Sequence, residues 1–132
     1  MRIVILGCGR LGAYLAGMLV AEGHQVTVID RNAEAFRRLG PNFEGNLVVG
    51  TGIDEDVLRR AGIEQAEAFV AVTNGDNTNV MAAQVAREIF GVRRVICRIY
   101  DPLREEIYHT LGLETICPTI LGATKIKEAL DR

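Results

Sequence analysis

Three glycines near the start of the chain have a spacing that suits phosphate binding, in the sequence Gly7-Cys8-Gly9-Arg10-Leu11-Gly12. They follow a short apolar run and precede a helical stretch, which is the context that makes a GxGxxG spacing informative. Gly7 permits a tight turn, Gly9 lets the backbone approach a pyrophosphate, and Gly12 allows close packing of helix and sheet. N–H groups at the start of the predicted Leu11–Ala21 helix favour an anion. The motif predicts a phosphate-binding loop, and a ligand-free glycine turn is the alternative.

An acidic residue, Asp30, ends the second apolar run and is followed by Arg31 and Asn32. A carboxylate at this place accepts hydrogen bonds from both ribose hydroxyls of an adenosine. It also repels a 2′-phosphate, which disfavours NADP, although Arg31 weakens that exclusion slightly because a guanidinium can hold the extra phosphate. A helix N-cap is the structural alternative for Asp30, and the two roles are compatible. No P-loop lysine follows the glycines, which excludes a P-loop NTPase.

Polar residues follow the later predicted strands, at the edge where open α/β sheets bind their ligands. Thr51 follows the third strand, and the stretch 73–79, with Thr73, Asn74 and Asp76, follows the fourth. We expect this stretch to be a binding loop, and a merely capped loop is the alternative.

Two arginines are candidates for phosphate contacts, because a guanidinium donates paired hydrogen bonds to such anions. Arg10 lies inside the glycine loop, and Arg98 closes the fifth predicted strand. For Arg98 a salt bridge to Asp101 or Glu114 is an equally good interpretation.

Side chains for acid–base or nucleophilic catalysis are not grouped in this sequence. His24 falls in a turn and His109 falls late in a helix. No Tyr is followed four residues later by Lys, and neither GxSxG nor HExxH is present. A lowered thiol pKa is one interpretation of Cys8 beside a helix N-terminus, but a small buried residue is the one we prefer. We therefore expect no enzymatic activity.

Short apolar runs alternate with helical stretches along the chain. Strands are predicted at Arg2–Leu6, Gln25–Ile29, Leu47–Gly50, Ala68–Val72, Val95–Arg98 and Glu114–Cys117. Helices are predicted at Leu11–Ala21, Ala33–Leu39, Glu55–Ala61, Asn77–Phe90, Leu103–Leu111 and Ile120–Leu130. Helix ends are predicted at Gly23, Gly40, Gly62, Gly91 and Gly112, and N-caps at Asp54 and Asp76. Continuous apolar strands that alternate with helices indicate a parallel sheet covered on both faces.

Length and charge narrow the class of protein further. A chain of 132 residues is the size of one domain, and its net charge of −2 gives no basic excess for nucleic acid. No apolar run approaches the roughly 20 residues of a membrane span, so we expect a cytosolic protein. The three cysteines lack metal-ligand spacing and are expected as reduced thiols. The apolar residues of the last helix, 120–130, are expected either to fold back on the domain or to pack on another chain.

Several segments together resemble the nucleotide-binding lobe of RCK/KTN domains, the TrkA-N family of cytosolic regulators of potassium transporters and channels. They are residues 3–12 (IVILGCGRLG), 26–32 (VTVIDRN), 70–79 (VAVTNGDNTN), 95–98 (VICR) and 112–118 (GLETICP). The resemblance runs along essentially the whole chain. It implies a Rossmann-type α/β fold, with a doubly wound parallel six-stranded sheet in the order 3-2-1-4-5-6, as a single domain over residues 1–132.

The same resemblance implies roles for individual residues. The phosphate loop corresponds to Gly7, Gly9, Arg10, Leu11 and Gly12. The ribose acid and its neighbours correspond to Asp30, Arg31 and Asn32, and the loop over the ligand corresponds to Thr73, Asn74 and Asp76. Arg98 corresponds to a basic residue near the distal phosphate. Thr51 stands where many members carry an acid that contacts adenine, so the contact expected there comes from its hydroxyl or from backbone groups of its neighbours.

The expected function is that of a nucleotide-binding regulatory subunit or domain of a potassium uptake system. The ligand is NAD or NADH, or one of ATP, ADP and AMP, because all of these present an adenosine ribose and a phosphate. The resemblance implies a membrane-embedded transporter subunit as partner, a homodimer or larger ring, and a position at the inner face of the membrane. The alternative function is the cofactor-binding half of an NAD-dependent dehydrogenase.

Overall fold

The computed structural model describes every residue from Met1 to Arg132. Its strands form one six-stranded parallel sheet in the order β3-β2-β1-β4-β5-β6. The strands are β1 Arg2–Leu6, β2 Gln25–Asp30, β3 Asn46–Val49, β4 Ala68–Ala71, β5 Arg94–Arg98 and β6 Glu114–Ile116. The predicted Rossmann-type fold and strand order are confirmed.

Helices connect successive strands and cover both faces of the sheet. They are α1 Arg10–Ala21, α2 Glu55–Arg60, α3 Asp76–Gln84, α4 Pro102–Thr110 and α5 Pro118–Leu130. The predicted α-helix over Ala33–Leu39 is instead a 3₁₀ helix, and a short 3₁₀ turn spans Ile63–Gln65. The predicted Asn77–Phe90 helix is divided, because α3 passes into a π-helical segment, Val85–Ile89. None of these helices combines the length and the apolar character that a membrane crossing requires.

The core consists of two apolar layers, one on each face of the sheet. Successive residues of β1 point to opposite faces, so Ile3 and Ile5 pack against α1 while Val4 and Leu6 pack against α2 and α3. All four side chains are at most 4% exposed. This burial on both faces explains why β1 is continuously apolar rather than alternating, and it fixes the strand that carries the glycine loop.

The helix ends largely follow the predicted punctuation. All five glycines predicted at helix ends have positive φ, between 65° and 89°. The Asp54 carboxylate caps α2 by accepting hydrogen bonds from the amides of Asp56 and Val57, at 2.9 and 3.4 Å. The capping role considered for Asp76 is wrong, because Gly75 occupies the N-cap position of α3.

The last helix, α5, does not fold back on the domain, although that was one of the two expectations. None of its residues is buried. Ile126 and Leu130, one turn apart, are 64% and 79% exposed. The first turn of α5 is attached through Thr119, whose hydroxyl donates to the carbonyl of Tyr100 at 3.3 Å. The apolar residues of α5 are therefore exposed to solvent in this structure.

Candidate nucleotide-binding site

A cavity of about 510 Å³ opens at the carboxyl ends of β1, β2 and β4. The predicted site residues that line it are Gly7, Gly9, Asp30, Arg31, Asn32, Thr51, Thr73 and Asn74. The remaining predicted residues border this edge without lining the cavity: Arg10, Leu11, Gly12, Asp76 and Arg98. The structure thus gathers the glycine loop, the β2 acid and the β4 loop around one space, where an open α/β sheet binds its ligands.

The glycines of the loop meet different surroundings. Gly7 has a φ of 109°, and a Cβ there would lie 2.9 Å from the backbone nitrogen of Thr73. A Cβ on Gly12 would overlap the carbonyl oxygen of Gly7. A Cβ on Gly9 would meet no protein atom within 4 Å, and Gly9 lines the cavity directly before α1. Gly7 and Gly12 are therefore required by packing, whereas Gly9 keeps open the space in front of the first amides of α1.

Asp30 joins the end of β2 to the glycine loop. Its Oδ2 accepts a hydrogen bond from the amide of Cys8 and its Oδ1 accepts one from the amide of Asn32, both at 2.8 Å. Each carboxylate oxygen keeps a further lone pair, since an ionised carboxylate offers about four acceptor sites. Asp30 is thereby held in a fixed orientation with capacity left for two ribose hydroxyls.

Cys8 is a structural thiol and not a reactive one. Its side chain is fully buried beneath the loop. Burial raises the pKa of the Cys8 thiol, the Asp30 carboxylate raises it further, and Arg38 partly offsets both effects. The lowered pKa that a helix N-terminus can produce is not found, so the interpretation of Cys8 as a small buried residue holds.

The wall beyond Asp30 includes residues that the sequence analysis did not single out. Ile53 lines the cavity next to Thr51 and is 45% exposed, so it offers an apolar surface beside a hydroxyl. Arg38 also lines the cavity, and its Nη1 lies 3.4 Å from the carbonyl oxygen of Cys8. The 3₁₀ geometry of Ala33–Leu39 aligns Arg38 with Asn32 and Ala35, and no local feature of the sequence predicts 3₁₀ rather than α-helical geometry there.

The β4 loop is fastened to β5 by a buried amide. Asn79 is fully buried, and its Oδ1 accepts from the amide of Thr73 at 2.9 Å. Its Nδ2 donates to the carbonyls of Thr73 and Arg98 at 3.0 and 2.9 Å. These bonds hold Thr73 at the cavity wall. A polar residue within an otherwise apolar helix face was the available sequence signal for Asn79.

Arg98 lies behind the β4 loop. It is 7% exposed, and its Nη2 donates to the Thr73 carbonyl at 2.7 Å and to Asn74 Oδ1 at 3.3 Å. Its guanidinium carbon stands 4.4 Å from the centre of the Tyr100 ring. The alternative ion pair with Asp101 or Glu114 is wrong, because no carboxylate lies within ion-pair distance of Arg98. Arg98 positions the loop, and a phosphate contact stays a prediction.

Asp76 connects the same loop to the chain after β5. Its carboxylate accepts hydrogen bonds from the amides of Tyr100 and Asp101, at 2.8 and 3.3 Å. Asp101 in turn caps α4 by accepting from the amide of Leu103 at 3.0 Å. The wall of the cavity is thereby linked to the start of α4.

The doubly wound parallel sheet, with its glycine loop and an acid at the end of β2, defines the class of Rossmann-type nucleotide-binding domains. The sequence further identifies one family within that class. The chain belongs to the TrkA-N domain family, whose sequence model matches residues 3–118.

Curated relatives include the Trk system potassium uptake protein TrkA of Streptomyces coelicolor, which is 58% identical over 116 residues, 88% of this chain and 52% of that protein. A TrkA homolog of Pyrococcus abyssi is 37% identical over 108 residues, 82% of this chain and 48% of that protein. The chain therefore spans about half the length of these relatives.

Solved structures share the fold at lower identity. The Kef CTD of Shewanella denitrificans in AMP-bound form superposes with a TM-score of 0.85 at 20% identity, covering 99% of this chain and 80% of that one. The GsuK channel bound to NAD gives a TM-score of 0.72 at 20% identity, covering 89% of this chain and 21% of that one.

Proposed function

We propose that this chain is a nucleotide-binding regulatory unit of a potassium uptake system. The observation that carries the proposal is the cavity lined by both Asp30 and Gly9, where the absence of a side chain on Gly9 leaves open space before α1. The high identity to TrkA over most of the chain supports the choice of a potassium system. The membrane-embedded transporter subunit is a separate partner, and this chain lies against it at the cytoplasmic face.

The ligand is an adenine nucleotide that lies across the carboxyl edge of the sheet. Its phosphates lie before the first amides of α1, near Arg10 and Leu11, where the free N–H groups and the helix dipole stabilise negative charge. Its ribose hydroxyls bind the Asp30 carboxylate, and its base packs on Ile53. NAD, NADH, ATP, ADP and AMP all meet these requirements. The AMP and NAD that occupy structural neighbours support this ligand class.

The regulatory signal leaves the site through the β4 loop. A ligand that contacts Thr73 and Asn74 acts on Arg98, which touches both residues and stacks on Tyr100. The amide of Tyr100 donates a hydrogen bond to the Asp76 carboxylate, and its carbonyl accepts one from the hydroxyl of Thr119 in α5. Since a ligand shifts an equilibrium only by binding one state better, this route lets the nucleotide favour one arrangement of α4 and α5 in a homodimer or larger ring.

A calorimetric panel of NAD, NADH, ATP, ADP and AMP tests the proposal on the whole chain. Asp30→Ala should weaken binding of each ligand that binds by about 1–3 kcal/mol, because it removes hydrogen bonds to a charged acceptor. Asp56→Ala is the matched control, since Asp56 is an exposed carboxylate paired with Arg59 on α2. Unchanged binding in Asp30→Ala would refute the pose, and hydride transfer by this chain would favour the dehydrogenase alternative.

A further inference from the structure

The ribose end of the cavity carries more positive charge than an adenosine ribose needs. Asp30, Arg31 and Arg38 are the only charged residues that line the cavity. The whole lining therefore holds one carboxylate against two guanidinium groups, and both guanidinium groups belong to the segment that follows β2. No guanidinium group lines the end of the cavity near Thr73 and Asn74.

Resting on the proposed function, we propose that Arg38 is a specificity-determining residue and that the site accepts adenosine nucleotides carrying a 2′-phosphate. This reverses the expectation drawn from Asp30 alone. An acid at the end of β2 excludes a 2′-phosphate by repulsion, but two neighbouring guanidinium groups outweigh one carboxylate.

The two arginines are free to bind a ligand. Neither Arg31 nor Arg38 forms an ion pair with any carboxylate, Asp30 included. Arg38 makes one long hydrogen bond, 3.4 Å from its Nη1 to the Cys8 carbonyl, which leaves its other donors unused. Each Asp30 oxygen already accepts one hydrogen bond, from the amide of Cys8 or of Asn32 at 2.8 Å, so part of the carboxylate charge is compensated.

The 3₁₀ helix explains why Arg38 reaches the cavity while its neighbour does not. Side chains three residues apart align in this geometry, and Asn32, Ala35 and Arg38 all line the cavity at that spacing. The Arg38 guanidinium reaches the carbonyl of Cys8, whose amide binds Asp30, so it lies beside the acid at the end of β2. Arg37 points away, is 82% exposed and pairs with Glu34 at 3.6 Å. The chain thus supplies its own matched control arginine.

Calorimetry with AMP and adenosine 2′,5′-bisphosphate isolates the effect of the 2′-phosphate, because the two probes differ in that group alone. The wild-type chain should bind the bisphosphate at least as tightly as AMP. Arg38→Ala should weaken the bisphosphate by about 10- to 100-fold more than AMP, the loss expected for a charge-assisted hydrogen bond. Arg37→Ala should leave the ratio of the two affinities within about twofold. Arg38→Gln, which keeps the length of the side chain, should behave as Arg38→Ala does.

Each alternative result has a distinct meaning. AMP binding with the bisphosphate at least tenfold weaker overturns this inference and leaves the proposed function intact. An equal loss of both probes in Arg38→Ala also overturns it, because Arg38 would then not read the 2′-phosphate. Adenosine 3′,5′-bisphosphate should bind more weakly than the 2′,5′ isomer, and equal binding of the two would contradict a site specific for the 2′ position. Binding of none of the probes overturns the proposed function as well.

Discussion

The three glycines of the predicted phosphate loop differ in whether the fold or a ligand explains them. Gly7 and Gly12 have backbone atoms where a side chain would stand, so their small size is a requirement of the fold. Gly9 has open space there, and its φ of −76° suits any residue. Nothing in the fold explains why position 9 carries no side chain, whereas an anion close to the backbone does.

A methyl group at Gly9 should therefore weaken nucleotide binding while the fold persists. We expect Gly9→Ala to change the free energy of unfolding by less than about 1 kcal/mol and to weaken AMP or NAD at least tenfold, because the Cβ enters the phosphate space. Calorimetry and thermal unfolding measure the two effects. Gly17→Ala is the control, since Gly17 lies exposed in α1 with no atom within 4 Å of a Cβ. Undiminished binding in Gly9→Ala would place the phosphates elsewhere.

At the scale of elements, the junction between β4, α3 and β5 holds the cavity wall in place. One buried amide, Asn79, satisfies backbone groups of both Thr73 and Arg98. Buried backbone groups without partners are costly, so the loop conformation depends on this side chain.

Replacement of Asn79 should destabilise the domain, whereas replacement of Asn77 in the same helix should have little effect on stability. Asn79→Ala is expected to lower the free energy of unfolding by about 2–4 kcal/mol, because it removes the hydrogen bonds of Asn79 to the Thr73 amide and to the Thr73 and Arg98 carbonyls. Asn77→Ala is the control, since Asn77 is exposed and only accepts a bond from Arg104 at 3.0 Å; its effect should stay within about 0.5 kcal/mol. Urea titrations measure both, and equal effects would show that the buried network is not needed.

Elements differ in how far the sequence predicts them. The strands were predictable because strands buried on both faces read as continuous apolar runs. The 3₁₀ helix Ala33–Leu39 was not predictable, because its Ala, Glu, Arg and Leu residues favour an α-helix. Its geometry is seen only in the folded structure, where Ala35 packs in the apolar layer against the sheet. The residues of the site also differ in this respect. Asp30 was predicted from its position at the end of the second apolar run, whereas Arg38 and Ile53 reach the cavity through tertiary geometry alone.

At the scale of the whole molecule, a series of contacts connects the proposed nucleotide site with α5. Asn74 of the β4 loop accepts hydrogen bonds from Arg98 and Tyr100. Asp76 binds the amide of Asp101, which caps α4, and the Tyr100 carbonyl accepts from Thr119 at the start of α5. Beyond that attachment α5 presents its apolar residues to solvent. A regulatory unit that assembles through α5 would join ligand occupancy to assembly along this path.

A charge in the exposed stripe of α5 should disrupt that assembly. Ile126→Glu is expected to shift the chain to monomers in sedimentation velocity, because a buried carboxylate without a partner is unfavourable in an apolar interface. Thr124→Glu adds the same charge at a polar, exposed position of α5 and should leave association unchanged. AMP and NAD binding should survive in both variants. A wild-type chain that stays monomeric with and without NAD would contradict a role for α5 in assembly.

The most direct measurement is a crystal structure of this chain grown with AMP, and in parallel with NAD. We predict that the 5′-phosphate lies within hydrogen-bond distance of the first amides of α1 and that both ribose hydroxyls donate to the Asp30 carboxylate. A nucleotide bound away from Asp30, or a cavity filled by the protein's own side chains in the presence of ligand, would contradict the account.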